Sequence, residues 1–480
     1  MVKWMNKPES LLAAAALGLL GALAVLLNLT LASCQNSAAG RVGQTGVHGQ
    51  PLARAPLPPP RQEFYGDRGP DLRVRIRSGV NSASIAAPAG EALMWPGVAW
   101  SSGASARTLR TAGPVEIRLV GGEFVLRSPQ GEARVNAAEG LWAAPMPARS
   151  GSTPMLTLDG GPYPGKLRIV PRSDAAPGAF DVIEHVALED YLPGVVAKEM
   201  LAGWPLTAFQ VQAVCARTYA LQERGLSLLR GEHFDLESTD RDQVYGGASA
   251  NATAQEAVRT TRGLVLKHNG VILRAYYSST CGGRTASARD TWPTGRGYEY
   301  NLAAPVQAHT RPTACDISPL HRWTVTRDRA ELEQRIRAFG ERQKLLVRRL
   351  RTLHSIEPMA FNADGRPSRY KVIEPGGTWY ELSGEELRLA CNNSVPASAA
   401  AAAGVGAPSA GLPIVDRKSR VHSSDFAVQV RGNVVTFTGR GFGHGVGMCQ
   451  YCAKAFADRG EDWRTIVLRF YPGATIERQY

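Results

Sequence analysis

The chain has 480 residues, of which 44% are hydrophobic and 20% charged, and its formal charge is 55 − 42 = +13. That length gives room for two or three domains, and the composition is that of a folded protein, which excludes a fibrous or wholly disordered chain. The positive excess favours an anionic partner such as nucleic acid, an acidic membrane face or an anionic wall polymer. No nucleic-acid module signature is present, so nucleic acid is not expected.

Lys3 and Lys7 precede an apolar run from Leu11 to Ser33, which ends in Leu31-Ala32-Ser33-Cys34. This ending looks like a lipoprotein signal box and predicts a lipidated Cys34. The run is also long enough for an uncleaved membrane helix, since about 20 apolar residues span a bilayer. Asn28 and Thr30 weaken that reading. Simple secretion is the third option. All three place the body outside the cytoplasm, on the outer side of the cytoplasmic membrane or in the periplasm. Residues 35–70 are rich in Gly, Pro, Ala and Gln, a composition that buries little, and are expected to form a tether.

Residues 71–180 carry short apolar alternations (LRVRIR, VEIRLV, EFVLRS, KLRIV) separated by Gly, Pro and Asp, the pattern of a β-rich domain. From residue 181 to the end a mixed α+β domain is expected, with an insertion at about 316–424. It opens on a strand and a helix interrupted near Pro193. A second helix follows Pro205, with Leu206, Phe209, Ala213, Val214 and Ala220 at helical spacing. A tight turn at His268-Asn269-Gly270 joins two strands. Residues 327–352 read as a basic amphipathic segment broken near Gly340, either a solvated helix face or a surface for an anionic polymer. Residues 397–412 read as a flexible insertion. Two strands, a glycine-rich turn and a helix close the chain. The fold class expected is therefore α+β.

The chemistry centres on Glu199, flanked by Val195, Val196, Ala197 and Met200. A carboxyl partly removed from water has a raised pKa, as a general acid near neutrality needs. The alternative is a surface glutamate paired with Lys198 or Arg217. The turn GRGFGHGVGM places glycine at 439, 441, 443, 445 and 447 but lacks the features of a phosphate-binding loop. Its glycines permit close backbone approach to a ligand, and His444 within it is either a substrate contact or a locally bonded imidazole. Tyr276 to Thr280, with Gly282-Gly283-Arg284-Thr285, form a hydroxyl-rich strand end suited to carbohydrate.

LEDYLPGVVAKEM, WPLTAFQVQAVCARTYAL, AYYSSTCGGRTASARDTW and GRGFGHGVGMCQYCAKAFADRG occur in that order and resemble the SpoIID/LytB family of sporulation stage II D and amidase-enhancer proteins. The resemblance covers roughly residues 180–310 and 425–475, with an echo at YPGKLRI, residues 163–169. It implies a lytic transglycosylase that cuts peptidoglycan glycan strands, with Glu199 as the catalytic acid. Its blocks nominate Arg217, Tyr219, Gln243, Tyr245, Tyr277, Ser278, Gly282, Gly283, His444 and Gly445 as substrate contacts. It also implies the alternative of a non-catalytic glycan binder that enhances a separate cell-wall amidase. Partners expected are thus glycan strands, a wall amidase, and the membrane through the N-terminus.

No cofactor is expected. Apart from Cys34, six cysteines remain: Cys215, Cys281, Cys315, Cys391, Cys449 and Cys452. An oxidising compartment permits disulfides among them, though the sequence selects no pairing. Cys215, in an apolar helical pattern, reads as a buried thiol. Cys449-x-x-Cys452 lacks the second such pair of a zinc site and reads as structural, with Cys281 and Cys315 as candidates to join it. Some family members carry a zinc-binding His/Cys cluster just before the QVY motif. The matching stretch here, HFDLESTDRDQVYGG, has no cysteine and leaves only His233, Asp240 and Asp242, so zinc there, and a metal-dependent hydrolase, are disfavoured.

Overall fold

The computed structural model describes residues 66–88, 90–96, 108–146, 154–174, 176–395 and 411–480. The expectations for Cys34, the N-terminal apolar run, nearly all of the tether and most of the 397–412 segment lie outside the described residues.

The β-rich region is built from two sheets. One holds seven strands in the order Leu236–Glu237, Asp71–Val80, Phe180–Ala187, Lys166–Pro171, Leu141–Pro145, Ala92–Pro96 and Leu109–Thr111. The other holds six, from Gly161–Tyr163 through Leu156–Leu158, Ser82–Ala86, Val115–Val120 and Glu123–Ser128 to Gly131–Asn136. The alternation read from the sequence is obeyed: Leu72, Val74, Val115, Ile117, Leu167 and Ile169 are fully buried in one shared core. Strand Phe180–Ala187 does not alternate. It is buried at nearly every position because it sits in mid-sheet, antiparallel to Asp71–Val80 on one side and Lys166–Pro171 on the other. A boundary at residue 181 therefore cuts through an interior strand of a continuous sheet.

The mixed region follows directly. Helix α1 (Leu188–Glu199) runs unbroken through Pro193, in contrast to the interruption expected there. Proline removes one intrahelical bond, and the burial of Tyr191, Leu192, Val195 and Val196 holds the turn together. Helix α2 (Leu206–Leu229) begins just after Pro205 and is the central, largely buried helix. Helix α3 (Ala252–Thr260) is capped by the Asn251 side chain. Strands Leu264–His268 and Val271–Ile272 form the expected hairpin, with Asn269 and Gly270 both at positive φ as its two-residue turn requires. The short helix α4 (Ala288–Thr291) follows.

Between residues 316 and 424 lie a strand, Arg322–Asp328, helix α5 (Arg329–Gln343), a three-stranded sheet (Ser355–Phe361, Pro367–Ile373, Trp379–Ser383) and helix α6 (Gly384–Asn392). Helix α5 continues past Gly340 and ends at Lys344, which takes a left-handed conformation. Gly340 is there for space: a Cβ would strike Arg348 N and Val347 of the returning chain. The basic face is partly spent internally, since Arg327 and Arg335 are buried and both pair with Glu331. Strands Phe426–Arg431 and Val434–Arg440 then lead through the glycine turn to helices α7 (Gln450–Asp458) and α8 (Trp463–Phe470). Residues Met448–Cys449 form a short strand parallel to Tyr277–Ser278, so the helix after the glycine turn starts only at Gln450.

Candidate active site

A cleft of ≈ 550 Å³, part of it open solvent, lies where α1, α2, the 240–245 loop, strand Tyr277–Ser278 and the glycine turn converge. Its walls include Glu199, Tyr219, Tyr277 and His444, four residues drawn from four separated sequence blocks. It also takes in Arg274 and Trp292, which the sequence reading did not single out.

Glu199 is the last residue of α1, and its side chain is partly buried. Its carboxylate accepts from Val244 N–H (3.2 Å) and from the Gln450 amide (3.4 Å), which also reaches the Glu199 carbonyl (3.2 Å). Burial raises its pKa above the ordinary glutamate value, while the Val244 and Gln450 hydrogen bonds and the neighbouring Tyr277 hydroxyl pull the other way. Its place at a helix C-terminus, the negative end of the dipole, acts in the same direction as burial. The alternative pairing with Lys198 or Arg217 is not made. Lys198 is exposed, and Arg217 is fully buried in a two-toothed pair with Glu189 (2.7 and 2.9 Å).

A buried relay sets the acid's surroundings. The Tyr191 hydroxyl donates to Gln243 Oε1 (3.2 Å), and Gln243 Nε2 donates to the Tyr277 hydroxyl and to Ala216 O (3.2 Å each). The Tyr277 hydroxyl, its oxygen thus occupied by an incoming donor, lines the cleft beside Glu199. Gln243 is therefore behind the cleft wall. Tyr245 is further back, packed on Tyr191 (4.6 Å between ring centroids) and Tyr163 (6.2 Å). Arg217, Gln243 and Tyr245 hold the wall in place, which differs from the substrate contact expected of them.

The opposite wall is aromatic and cationic. Trp292 stacks on Tyr276 (4.0 Å, 16°) and meets His444 edge-on (4.9 Å). Arg274 is buried, ion-paired with Glu223, bonded to the Tyr219 hydroxyl (2.8 Å) and set over the Tyr219, Tyr276 and Tyr300 rings at 4.6, 5.4 and 5.1 Å. Asp242 is committed on both oxygens, to the Tyr219 hydroxyl (3.2 Å) and the Glu237 N–H (2.8 Å). His444 accepts from Val446 N–H at Nδ1 (3.0 Å), which leaves the ring proton on Nε2. Burial lowers its pKa to about 3, with Arg388 and Arg366 contributing and Glu385 opposing, so the ring is neutral at pH 7.

The rest of the glycine turn faces the protein itself. Cβ atoms at Gly439, Gly441, Gly445 and Gly447 would strike Trp323, Thr280 O, Arg366 and Tyr276 O, so close approach there serves internal packing. Gly445 N–H donates to the buried Ser278 hydroxyl (3.2 Å), and Gly282 is pressed against Arg440 and Gly441. Gly283 turns at positive φ beside them. These four, Ser278, Gly282, Gly283 and Gly445, shape the turn that presents His444. Of the stretch before the QVY motif, His233 points to Asp181 (3.4 Å) and Asp240 is exposed on the cleft rim, so they and Asp242 do not converge on a common point. Cys281, Cys315, Cys449 and Cys452 do converge. Cys215 is a free buried thiol whose pKa burial pushes up to about 12.

The family model for the stage II sporulation protein, SpoIID, matches residues 177–268, which span α1 with Glu199, α2 and the QVY loop. The amidase enhancer of Bacillus subtilis is 28% identical over 312 residues, 59% of this chain and 40% of that protein. Stage II sporulation protein D of the same organism is 27% identical, covering 61% of this chain and 75% of its own. The chain is thus similar to SpoIID/LytB proteins over about 60% of its length. An uncharacterised protein of Brachyspira hyodysenteriae is 26% identical over 67% of this chain and 74% of its own. The residues missed from sequence had one readable signal: Arg274 interrupts the apolar run VILRAYY, and a charge in such a run is buried with a partner.

Proposed function

We propose that this protein is a peptidoglycan lytic transglycosylase with Glu199 as its single general acid and base. The observation that carries the reading is one carboxyl group at the cleft wall whose pKa is raised by burial and whose position is fixed by Val244 and Gln450. A cell-wall role follows from the family; the transglycosylase chemistry is the finer step.

A hydrolase needs two carboxylates, one to protonate the leaving oxygen and one to activate water or attack carbon. In the transglycosylase reaction the C6 hydroxyl of the same muramic acid ring is the nucleophile. Protonated Glu199 gives its proton to the glycosidic oxygen as the C1–O bond breaks. The C6 oxygen bonds to C1, and the Glu199 carboxylate takes the C6 proton, so no water is consumed. Intramolecular attack at effective molarities of about 10⁵ M or more makes the second carboxylate unnecessary. A neutral His444 suits the oxocarbenium-like transition state, because it offers a donor without adding positive charge beside it. Under this reading the body works outside the cytoplasm, tethered to the membrane through Cys34.

The test is incubation of purified glycan strands with the protein, followed by mass spectrometry. Products one water lighter than hydrolysis products, carrying 1,6-anhydro ends, are expected. Glu199→Gln should lower their formation by about 10²–10⁴-fold while glycan binding persists. Undiminished cleavage by that variant would remove Glu199 from the mechanism. The resemblance to the Bacillus subtilis amidase enhancer favours a second reading, a binder that stimulates a wall amidase. It predicts no anhydro ends from the parent protein and faster peptide release when an amidase is added.

A further inference from the structure

The four buried cysteines form a site that the proposed glycan chemistry does not use. Cys281 lies three residues past the Tyr277–Ser278 strand and precedes Gly282-Gly283, both at positive φ. Cys315 opens a single 3-10 turn, Cys449 caps α7, and Cys452 lies in the first turn of that helix. Their four sulfur atoms all lie within 4.8 Å of one another, with Cys281 Sγ 3.5 Å from Cys315 Sγ and 3.9 Å from Cys452 Sγ. Each residue is at most 1% exposed.

We propose that Cys281, Cys315, Cys449 and Cys452 bind one Zn²⁺ as a structural tetrathiolate centre that fixes helix α7 against the Glu199 cleft. Zn–S bonds of about 2.3 Å give a sulfur tetrahedron with edges of about 3.8 Å, a value that lies between the 3.5 and 3.9 Å separations of Cys281 Sγ from Cys315 Sγ and Cys452 Sγ. Two disulfides would need only that each sulfur meet one partner; here Cys281 lies near two others and the whole set converges on one point. The space between sulfurs this close holds a single ion. Four soft sulfur donors in that geometry select zinc over hard cations.

The surroundings suit thiolates. Cys281 N–H donates to Cys449 Sγ (3.2 Å), and Ala314 N–H donates to Cys452 Sγ (3.4 Å). Cys449 and Cys452 sit at the positive end of the α7 dipole. His321 Nδ1, 3.5 Å from Cys315 Sγ, supplies a further polar neighbour at the edge of the set. Sequence spacing hides the site, because its ligands come from three separate segments, and only Cys449-x-x-Cys452 is local. What the metal would secure is Gln450, which lies between two of its ligands and touches both the Glu199 carboxylate and its carbonyl.

The experiment is elemental analysis of the full-length protein, purified without chelator or reductant, with non-reducing peptide mapping of the same sample. The proposal expects close to one zinc per chain and four unbridged thiols. It also expects a cobalt-substituted form with the thiolate-to-cobalt and d–d bands of a tetrahedral centre. Cys449→Ser combined with Cys452→Ser should lose the zinc. Zinc well below one per chain with disulfides among these four cysteines, or iron in place of zinc, overturns the assignment. None of these measurements uses glycan, so the metal site and the transglycosylase reading fail or stand separately.

Discussion

Glu199 draws its acidity from opposing influences, and one of them is open to a clean test. Burial raises its pKa, while the Gln450 amide, 3.4 Å from the carboxylate, stabilises the charged form. Removing that donor with Gln450→Ala should raise the pKa further. The first step needs protonated Glu199, so the alkaline limb of the cleavage profile should move to higher pH, by up to about one unit. A residue that only supported the fold would lower the rate equally at every pH. Initial rates across the pH range distinguish the two. At this scale the sequence showed the acid and three of its cleft neighbours, Tyr219, Tyr277 and His444, because each sits in a distinctive local word. It did not show that Arg217, Gln243 and Tyr245 face inward. A residue's place within a matched block says nothing of which side of a helix or loop it occupies, and only the Glu189 pair and the Tyr191 relay decide that.

At the scale of elements, α1 is set in place by glycine on both sides of its contact. A Cβ at Gly194 would collide with the Gly247 carbonyl oxygen and the Tyr245 ring, and Gly247 itself turns at positive φ against Pro162 O. Gly194→Ala should therefore destabilise the protein by about 1–3 kcal/mol, the usual cost of overpacking, and disturb Glu199 at the end of the same helix. Gly225 on α2 supplies the control, since it is exposed with nothing near its missing Cβ. Gly225→Ala should stabilise by about 1 kcal/mol or less. Denaturant unfolding of both variants checks the pair, and a loss of stability at Gly225 equal to that at Gly194 would void the steric account. Helix α2 and the 268–270 hairpin were legible because period and turn chemistry are local. The continuity of α1 through Pro193 and of α5 through Gly340 was not, because tertiary packing overrides the breaker at the first and requires the glycine at the second.

Across the whole molecule the β-rich region and the mixed region share secondary structure, so neither is expected to fold alone. Strand Phe180–Ala187 takes its hydrogen bonds from Asp71–Val80 and Lys166–Pro171, and Leu236–Glu237, from beyond α2, adds in parallel to Asp71–Val80. Buried charges cross the same seam. Arg75 pairs with Asp181 (3.0 Å) and with Glu237, and Arg73 holds Asp235 (2.6 Å). A fragment starting at residue 181 would leave Asp181, Asp235 and Glu237 without these cations and expose both edges of a strand buried at almost every position. Buried carboxylates stripped of their arginines and bare strand edges each favour unfolding and aggregation. A fragment from residue 66 to the end keeps every one of these contacts. Circular dichroism with thermal melting should show a cooperative transition for 66–480 and none for 181–480. A cooperative melt of the shorter fragment would mean that the α/β core around α2 is sufficient by itself. The sequence suggested a boundary at 181 because composition shifts there from alternating strands to helices, but strand pairing between distant segments leaves no mark in local composition. The cleft depends on this seam, for the strand that completes the sheet runs directly into the helix that ends at Glu199.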